Sequence, residues 1–378
     1  MPLPTILSGN VASALGGAYE VANSCRFNSG DSAYMHRTFG TPTNVDKWTF
    51  SGWFKRGKIS TGAAMKLFNA YVDGNAYHMI QWSGGDGADK INCYDHDTSG
   101  GTVDNGQTTS GLYRDPASWY HICVIWDSGN ATATLRSRLF INGVEPSFSS
   151  DDNPSANQDS VINRAIAHQL GAVQTPAQYF DGYMAEVIFC DGQAYTPDNF
   201  GEYNEDSPTI WQPKDPSGLT FGNNGFWLDF EDSSDLGKDV SGEGNHFTEV
   251  NFAATDQCVD SPTNNFCTMN PLNISSYGTL TEGNCLITGN SSSDTGNVSS
   301  TMAAKNGKWY AECKVGGKTG DYPRPGFQHT NGTNYGRGVN GTDGGAGGNG
   351  GAGEASNGLR GGAGGGAGGT GGTVLIFA

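Results

Sequence analysis

The chain has 378 residues and a mass of 39.7 kDa, which is enough for two or three domains. Its 38 acidic and 21 basic residues give a net charge of −17, which argues against nucleic acid and anionic membrane surfaces as partners. The 58 glycines, with 8 Trp, 15 Tyr and 18 Phe on a background of short polar side chains, favour β-structure and exclude a helical bundle or coiled coil.

Short apolar or alternating runs between polar turns predict strands over the first two hundred residues. In chain order they cover 48–54, 77–82, 119–126, 135–141 and 183–190. The run 119–126 is apolar on both faces, as in a central strand, whereas 135–141 alternates, with Leu139 and Ile141 opposite Arg138. Asn142-Gly143 then signals a type I′ turn. These strands predict an antiparallel sandwich, since no helical periodicity separates them.

The sequence signals for secondary structure are weaker in the later segments of the chain. Residues 196–202, with a proline in a first-turn position, predict one short helix, and strand pieces within 219–230 complete the sandwich. We expect four regions: a β-sandwich at 1–250, a linker at 251–271, a small β-region at 272–335 and a glycine-rich tail at 336–378.

The tail has 20 glycines between Gly336 and Gly372 and ends in the apolar run 373–377. One hypothesis is a disordered low-complexity segment. The other is packed polyglycine held by backbone hydrogen bonds between neighbouring chains, since glycine alone lets backbones approach so closely. We favour order, because an exposed apolar strand promotes aggregation.

Targeting signals and metal-binding cysteine pairs are not found in the sequence. No apolar run is long enough for a transmembrane helix, and the first residues do not read as a secretory signal. The eight cysteines form no CxxC pair, and Cys123 and Cys190 lie in apolar strands. We therefore expect free thiols.

Several ordered blocks resemble the strands of LamG-like, concanavalin A-type jelly-roll domains, especially those of tail fibres and other virion proteins of marine bacteriophages. These blocks are 19–28, 48–56, 139–144 and 180–187. Residues 260–266 and 307–312 are similar to the start of a SPRY-like sandwich, although too few residues follow for a complete one. The glycine-rich run is similar to the tips of phage fibres.

Concanavalin A-type folds also include glycoside hydrolases, and retaining ones need two carboxylates about 5–5.5 Å apart. Glu186 and Asp191 fall on opposite faces of one strand, and Asp229 with Glu231 reads as a strand end. The seven histidines show no metal-binding pair, and no nucleophile or P-loop motif is present. We therefore expect no enzyme activity and no required cofactor.

Calcium is a candidate ligand. Its possible oxygen donors lie in one loop-rich stretch: Asp229, Asp235, Asp239 and Asn245. The alternative is that these residues form Asx turns. Three aromatic residues near predicted loops are candidates for stacking on a sugar ring: Trp82, Tyr94 and Tyr113.

The resemblance implies a non-enzymatic virion protein, made in the host cytoplasm without a signal peptide. Our hypothesis is a tail-fibre adhesin, assembled as a homotrimer beside other tail proteins, that binds a host glycan or outer-membrane protein without membrane insertion. Candidate contacts in the tail are Asn349, Asn357 and Arg360. The alternatives are a capsid decoration protein, or a cellular lectin or glycan-processing enzyme.

Overall fold

The computed structural model describes residues 19–59, 62–98, 103–174, 177–289, 298–303, 311–315 and 373–377. The chain divides into two compact units, residues 1–266 and 267–378. Regular structure in the described residues is β, apart from short 3-10 turns at Gly85–Gly87, Ala133–Leu135, Pro197–Asn199 and Ala254–Asp256. The predicted all-β class is confirmed.

The described residues of the first unit form seventeen strands. In chain order they are β1 (Ser24–Phe27), β2 (Tyr34–Thr38), β3 (Lys47–Arg56), β4 (Met65–Asp73), β5 (Ala76–Trp82), β6 (Ile91–Asp97), β7 (Val103–Thr109), β8 (Trp119–Asp127), β9 (Ser137–Ile141), β10 (Phe148–Asp152), β11 (Ala167–Leu170), β12 (Gly182–Asp191), β13 (Gly201–Tyr203), β14 (Trp211–Pro213), β15 (Phe226–Leu228), β16 (Thr248–Val250) and β17 (Gln257–Cys258).

Two large antiparallel sheets form the predicted jelly-roll sandwich. The first sheet has the order β17-β1-β12-β3-β8-β9, and β15 also pairs with β12. The second has the order β10-β7-β6-β5-β4-β11-β2-β16. A third, two-stranded sheet joins β13 to β14.

The main core lies between the two large sheets. Trp48, Phe50 and Phe54 of β3 face Phe68 of β4 and Trp82 of β5, and the rings of Phe50 and Phe68 stack with centroids 4.9 Å apart. All five side chains are buried. Large rings on alternating positions of both sheets therefore fill the space between them.

The outer face of the first sheet is covered as well. Trp53 and Trp119 pack with Tyr183 in one cluster, and Ile125 packs with Phe200 in another. Central strands β3, β8 and β12 are therefore buried on both faces, which explains why residues 119–126 are apolar throughout.

The Asn142-Gly143 turn is confirmed, because both residues have positive φ, 50° and 78°. The predicted helix at 196–202 is wrong. Pro197 starts only a 3-10 turn that ends at Asn199, and β13 follows at Gly201. Phe200, which directly follows the turn, packs in the same outer-face cluster as Ile125, and this packing ends the helical turn.

Residues 251–266 do not form a linker. β17 pairs with β1, and the Asp260 carboxylate lies 2.7 Å from Lys55 Nζ and accepts a hydrogen bond from Trp119 Nε1 at 3.1 Å. Lys55 is fully buried and needs a counter-ion, so this segment belongs to the first unit.

The second unit contains β18 (Met269–Ile274), β19 (Gly278–Thr281), β20 (Leu286–Gly289), β21 (Val298–Ser300), β22 (Ala311–Val315) and β23 (Thr373–Phe377). β18 pairs with β21, and the other four strands form a sheet in the order β19-β20-β23-β22. The apolar run 373–377 therefore forms a strand. The predicted polyglycine element at 336–372 lies outside the described residues.

Five cysteines of the described residues have free thiols: Cys25, Cys93, Cys123, Cys190 and Cys267. The expectation of free thiols is confirmed for these residues. In the described part of the chain, no helix has the length and apolar character needed to cross a bilayer.

Candidate functional site

The outward face of the second sheet differs from the core face. On β5, His78, Ile80 and Trp82 are buried, whereas the alternate residues are half-buried. The same alternation holds on β6. We call the outward surface of β4 to β7 the binding face.

Four rings on the binding face form what we call the aromatic row: Tyr71, Tyr77, Tyr94 and His96. Tyr77 lies opposite Tyr71 and His96 in the strand register, with centroids 5.9 Å and 4.8 Å away. Tyr94 lies 6.0 Å from Tyr77. The four side chains are half-buried, so ring surface is open to solvent. Such surfaces suit the apolar faces of sugar rings.

A second set of side chains, the polar ladder, crosses the same four strands. It consists of Lys66, Gln81, Asn92 and Thr108. Lys66 Nζ donates to Gln81 Oε1, Gln81 Nε2 donates to Asn92 Oδ1 at 3.2 Å, and Asn92 Nδ2 donates to Thr108 Oγ1 at 2.7 Å. The ladder fixes its amide groups in one orientation and thus pre-organises polar groups on the surface.

Two further side-chain amides lie opposite each other on the adjacent strands β4 and β11: those of Asn69 and Gln169. Asn69 Nδ2 donates to the main-chain oxygens of Gln169 and Ala172, which orients the amide. Asn69 Oδ1 and Gln169 Oε1 are buried, and neither has a hydrogen-bond partner in the structure. Unpaired buried acceptors are uncommon. The binding face therefore combines aromatic rings with fixed polar groups, the usual composition of a ligand site.

Of the three aromatic residues predicted from the sequence, only Tyr94 lies on the binding face. The prediction that Trp82 stacks on a sugar ring is wrong. Its side chain is fully buried on the core face, where Nε1 donates to Tyr113 O at 3.1 Å and the ring stacks on Phe180. Tyr113 packs on the core and contacts Tyr120 edge to face. Strand alternation, which places Trp82 inward, is the reason.

The three candidate contacts in the tail, Asn349, Asn357 and Arg360, lie outside the described residues.

The calcium candidates do not converge. The Asp239 carboxylate accepts hydrogen bonds from the main-chain N–H groups of Trp227, Ser241 and Asn245 at 2.7–2.9 Å. Asn245 Nδ2 donates to two main-chain oxygens. Both residues therefore organise a turn.

The other two calcium candidates do not complete a site. Asp229 accepts a hydrogen bond from the next residue but one, and Asp235 is exposed. No group of three or more His, Cys, Asp or Glu residues is placed to hold a metal in the described ranges. The calcium site stays a prediction of the sequence.

Asp191 has a structural role. Its Oδ2 accepts hydrogen bonds from the main-chain N–H groups of Thr43 at 2.6 Å and Asn224 at 3.1 Å. Its Oδ1 accepts Asn44 N at 3.2 Å and Asn163 Nδ2 at 2.7 Å. The carboxylate is fully buried and joins the strand end to three loops. Four donors occupy its oxygens, so it is not arranged as a catalytic base.

Glu186 lies in an unusual environment for a carboxyl group. It lies on a bulge of β12 with φ of 48°, is buried, and accepts a hydrogen bond from Trp227 Nε1 at 2.9 Å. Burial raises its pKa from the ordinary 4.5 to about 8, and hydrogen bonds with Trp227 and Tyr19 oppose that rise. Glu186 is therefore protonated at neutral pH.

Two buried histidine clusters resemble catalytic arrangements. Ser51 Oγ lies 2.8 Å from His121 Nε2, and Trp211 Nε1 donates to His121 Nδ1 at 3.1 Å. Nδ1 is thus the acceptor, so Nε2 carries the proton and cannot take one from Ser51. Burial lowers the pKa of His121 to about 3, which keeps the ring neutral.

The second cluster joins Cys93, His78 and Asp95. His78 Nε2 lies 3.2 Å from Cys93 Sγ, and His78 Nδ1 lies 2.9 Å from Asp95 Oδ1. All three side chains are buried, and burial raises the pKa of the Cys93 thiol well above its usual value. A neutral, enclosed thiol is not an active nucleophile. We assign both clusters to the core.

Comparison with known proteins agrees with this fold. Residues 28–198 match the family model described as the concanavalin A-like lectin/glucanases superfamily. Curated protein sequences gave no match.

Similar solved structures include a candidate carbohydrate-binding protein from Bacteroides ovatus, 14% identical over 61% of this chain and 58% of that chain, with a TM-score of 0.38. A second is a SAP-like pentraxin from Limulus polyphemus, 15% identical over 47% of this chain and 80% of that chain, with a TM-score of 0.34. A third comprises domains LG4-5 of the mouse laminin alpha1 chain, 12% identical over 52% of this chain and 48% of that chain, with a TM-score of 0.32. The chain thus spans less than two thirds of the Bacteroides and laminin chains. Residues 28–198, which lie within the β-sandwich, are thus similar to the concanavalin A-like lectin/glucanases superfamily.

Proposed function

We propose that this protein is a non-enzymatic virion attachment protein that binds a glycan of the host surface through the binding face. The observation that supports glycan binding is the aromatic row beside the polar ladder, on the outward face of a lectin-type sandwich. The rings offer surfaces for the apolar side of a sugar, and the fixed amides offer hydrogen bonds to its hydroxyl groups.

The virion context rests on the resemblance of the strand blocks to phage tail-fibre domains. The proposal includes a homotrimer in a tail fibre, in contact with other tail proteins. A cellular lectin with the same domain is the second candidate, because the binding face supports glycan binding in either setting. Immunogold labelling of particles with antibody to this chain separates the two, since a cellular lectin leaves every particle unlabelled.

We expect Tyr77→Ala to weaken glycan binding roughly tenfold or more, since truncating a central aromatic contact costs about 2 kcal/mol. Binding is measured by a glycan array followed by calorimetry on the best ligand. Tyr277→Ala is the matched control, because Tyr277 is an exposed tyrosine of the second unit. Equal affinity of the wild type and Tyr77→Ala, with unfolding curves unchanged, contradicts the assignment of the face.

A further inference from the structure

One lysine on the binding face is buried, and no carboxylate of the described residues pairs with it. The fully buried cations of the described residues are Lys55, Arg56 and Lys66. Lys55 Nζ lies 2.7 Å from Asp260, and Arg56 Nη1 lies 2.8 Å from Asp89. Lys66 is 3% exposed, and within the described part of the chain its Nζ makes hydrogen bonds only to the neutral groups Gln81 Oε1 and Met79 Sδ.

An unpaired buried ammonium destabilises the folded protein. Burial lowers the pKa of Lys66 from the ordinary 10.5 to about 8, so the group is still charged at neutral pH. An aliphatic side chain at position 66 would avoid this cost. A ligand that brings a negative charge to Nζ would offset it.

The location of Lys66 favours a ligand as the source of that charge. Its two contacts, Met79 and Gln81, are half-buried residues whose side chains lie on the binding face. Nζ therefore lies just below the surface, at the end of the polar ladder. An anionic group placed against Gln81 and Met79 would lie next to the ammonium and form a charge-assisted hydrogen bond.

We propose that the binding face takes an acidic glycan, whose carboxylate or sulfate group pairs with the Lys66 ammonium. This inference rests on the proposed glycan-binding function and names its ligand class. The net charge of −17 repels polyanions at low ionic strength, so specific pairing is best measured at about 0.15 M salt or above, where that repulsion is screened.

The test uses the full chain and two matched pairs of probes. The first pair is oligogalacturonate and its methyl ester, and the second is a sulfated galactan oligosaccharide and its desulfated form. In each pair the sugar chain is the same, and the neutral form lacks the anionic groups. The variants are Lys66→Met, which keeps the aliphatic stem, and Lys66→Arg, which keeps the charge. Lys90→Met is the control, because Lys90 precedes β6 and its Nζ donates to Ser149 Oγ of β10.

We expect the wild type to bind one acidic probe roughly tenfold more tightly than its neutral form, and Lys66→Met to lose that preference. Lys66→Arg and Lys90→Met should retain it. The pair of probes that shows this preference tells whether the ligand group is a carboxylate or a sulfate.

Three outcomes contradict the inference. Equal binding of charged and neutral probes, unchanged in Lys66→Met, overturns the acidic ligand but leaves glycan binding intact. A preference for the acidic form that survives in Lys66→Met overturns the role of Lys66. If the wild type binds none of the four probes and no glycan of the array, the proposed function fails, and this inference with it.

Discussion

Replacing Asp191 with alanine is expected to destabilise the first unit by more than about 4 kcal/mol, because four donors lose a charged acceptor in a fully buried site. For a unit of this size, that corresponds to a fall of roughly 10 °C in the midpoint of thermal unfolding. Tryptophan fluorescence during urea unfolding measures the change directly.

Asp198→Ala is the control, since Asp198 is exposed in the turn Pro197–Asn199. It should change the free energy of unfolding by less than about 0.5 kcal/mol. Asp191→Asn should lie between the two, because it keeps the size of the side chain but loses the charge and one acceptor. Unfolding curves of Asp191→Ala that coincide with the wild type would refute the role of this carboxylate.

The second large effect concerns Glu186 and pH. The pKa of the folded group is about 8, against an ordinary value of 4.5 for the unfolded chain. The contribution of protonated Glu186 to the free energy of unfolding is therefore complete below pH 4.5. It is lost as pH rises to about 8, a total change in that free energy on the order of 4 kcal/mol. Glu186→Gln removes this titration, so the variant should exceed the wild type in stability at pH 8 and match it near pH 4.5.

The measurement is the free energy of urea unfolding at several pH values between 4.5 and 8.5, as the difference between variant and wild type. Glu202→Gln is the control, because Glu202 is exposed on β13. A constant difference between Glu186→Gln and the wild type across this range is the result that contradicts a protonated Glu186.

Strand positions could be predicted because alternation and apolar runs are local properties of the sequence. The runs 77–82 and 183–190 match β5 and β12 to within one residue at each end. The helix at 196–202 was wrong because one proline signal cannot show that Phe200 is needed in a cluster formed by distant strands.

The binding face was largely missed because pairing decides which side of a strand faces outward. In β5 both alternating sets are plausible core residues, and the sequence favours Trp82 over Tyr77 as a surface ring only by its position near a loop. Bulges between Lys66 and Phe68, and between Tyr71 and Asp73, then set the pairing of β4 with β5. The polar ladder depends on that register, which one sequence does not reveal.

In the first unit, the segment around Val21 and β1 lies beside the segment around β17 and Thr263. The main-chain N–H of Val21 donates to Thr263 Oγ1 at 3.0 Å, and β1 pairs with both β12 and β17. Strands β4 to β7, in contrast, pair with one another in sequence order, as three successive hairpins. Loop-closure entropy is modest for those hairpins and greater for β1 with its distant partners. We therefore expect the hairpins to form early in folding and the first sheet to close last, which makes this closure the slow step.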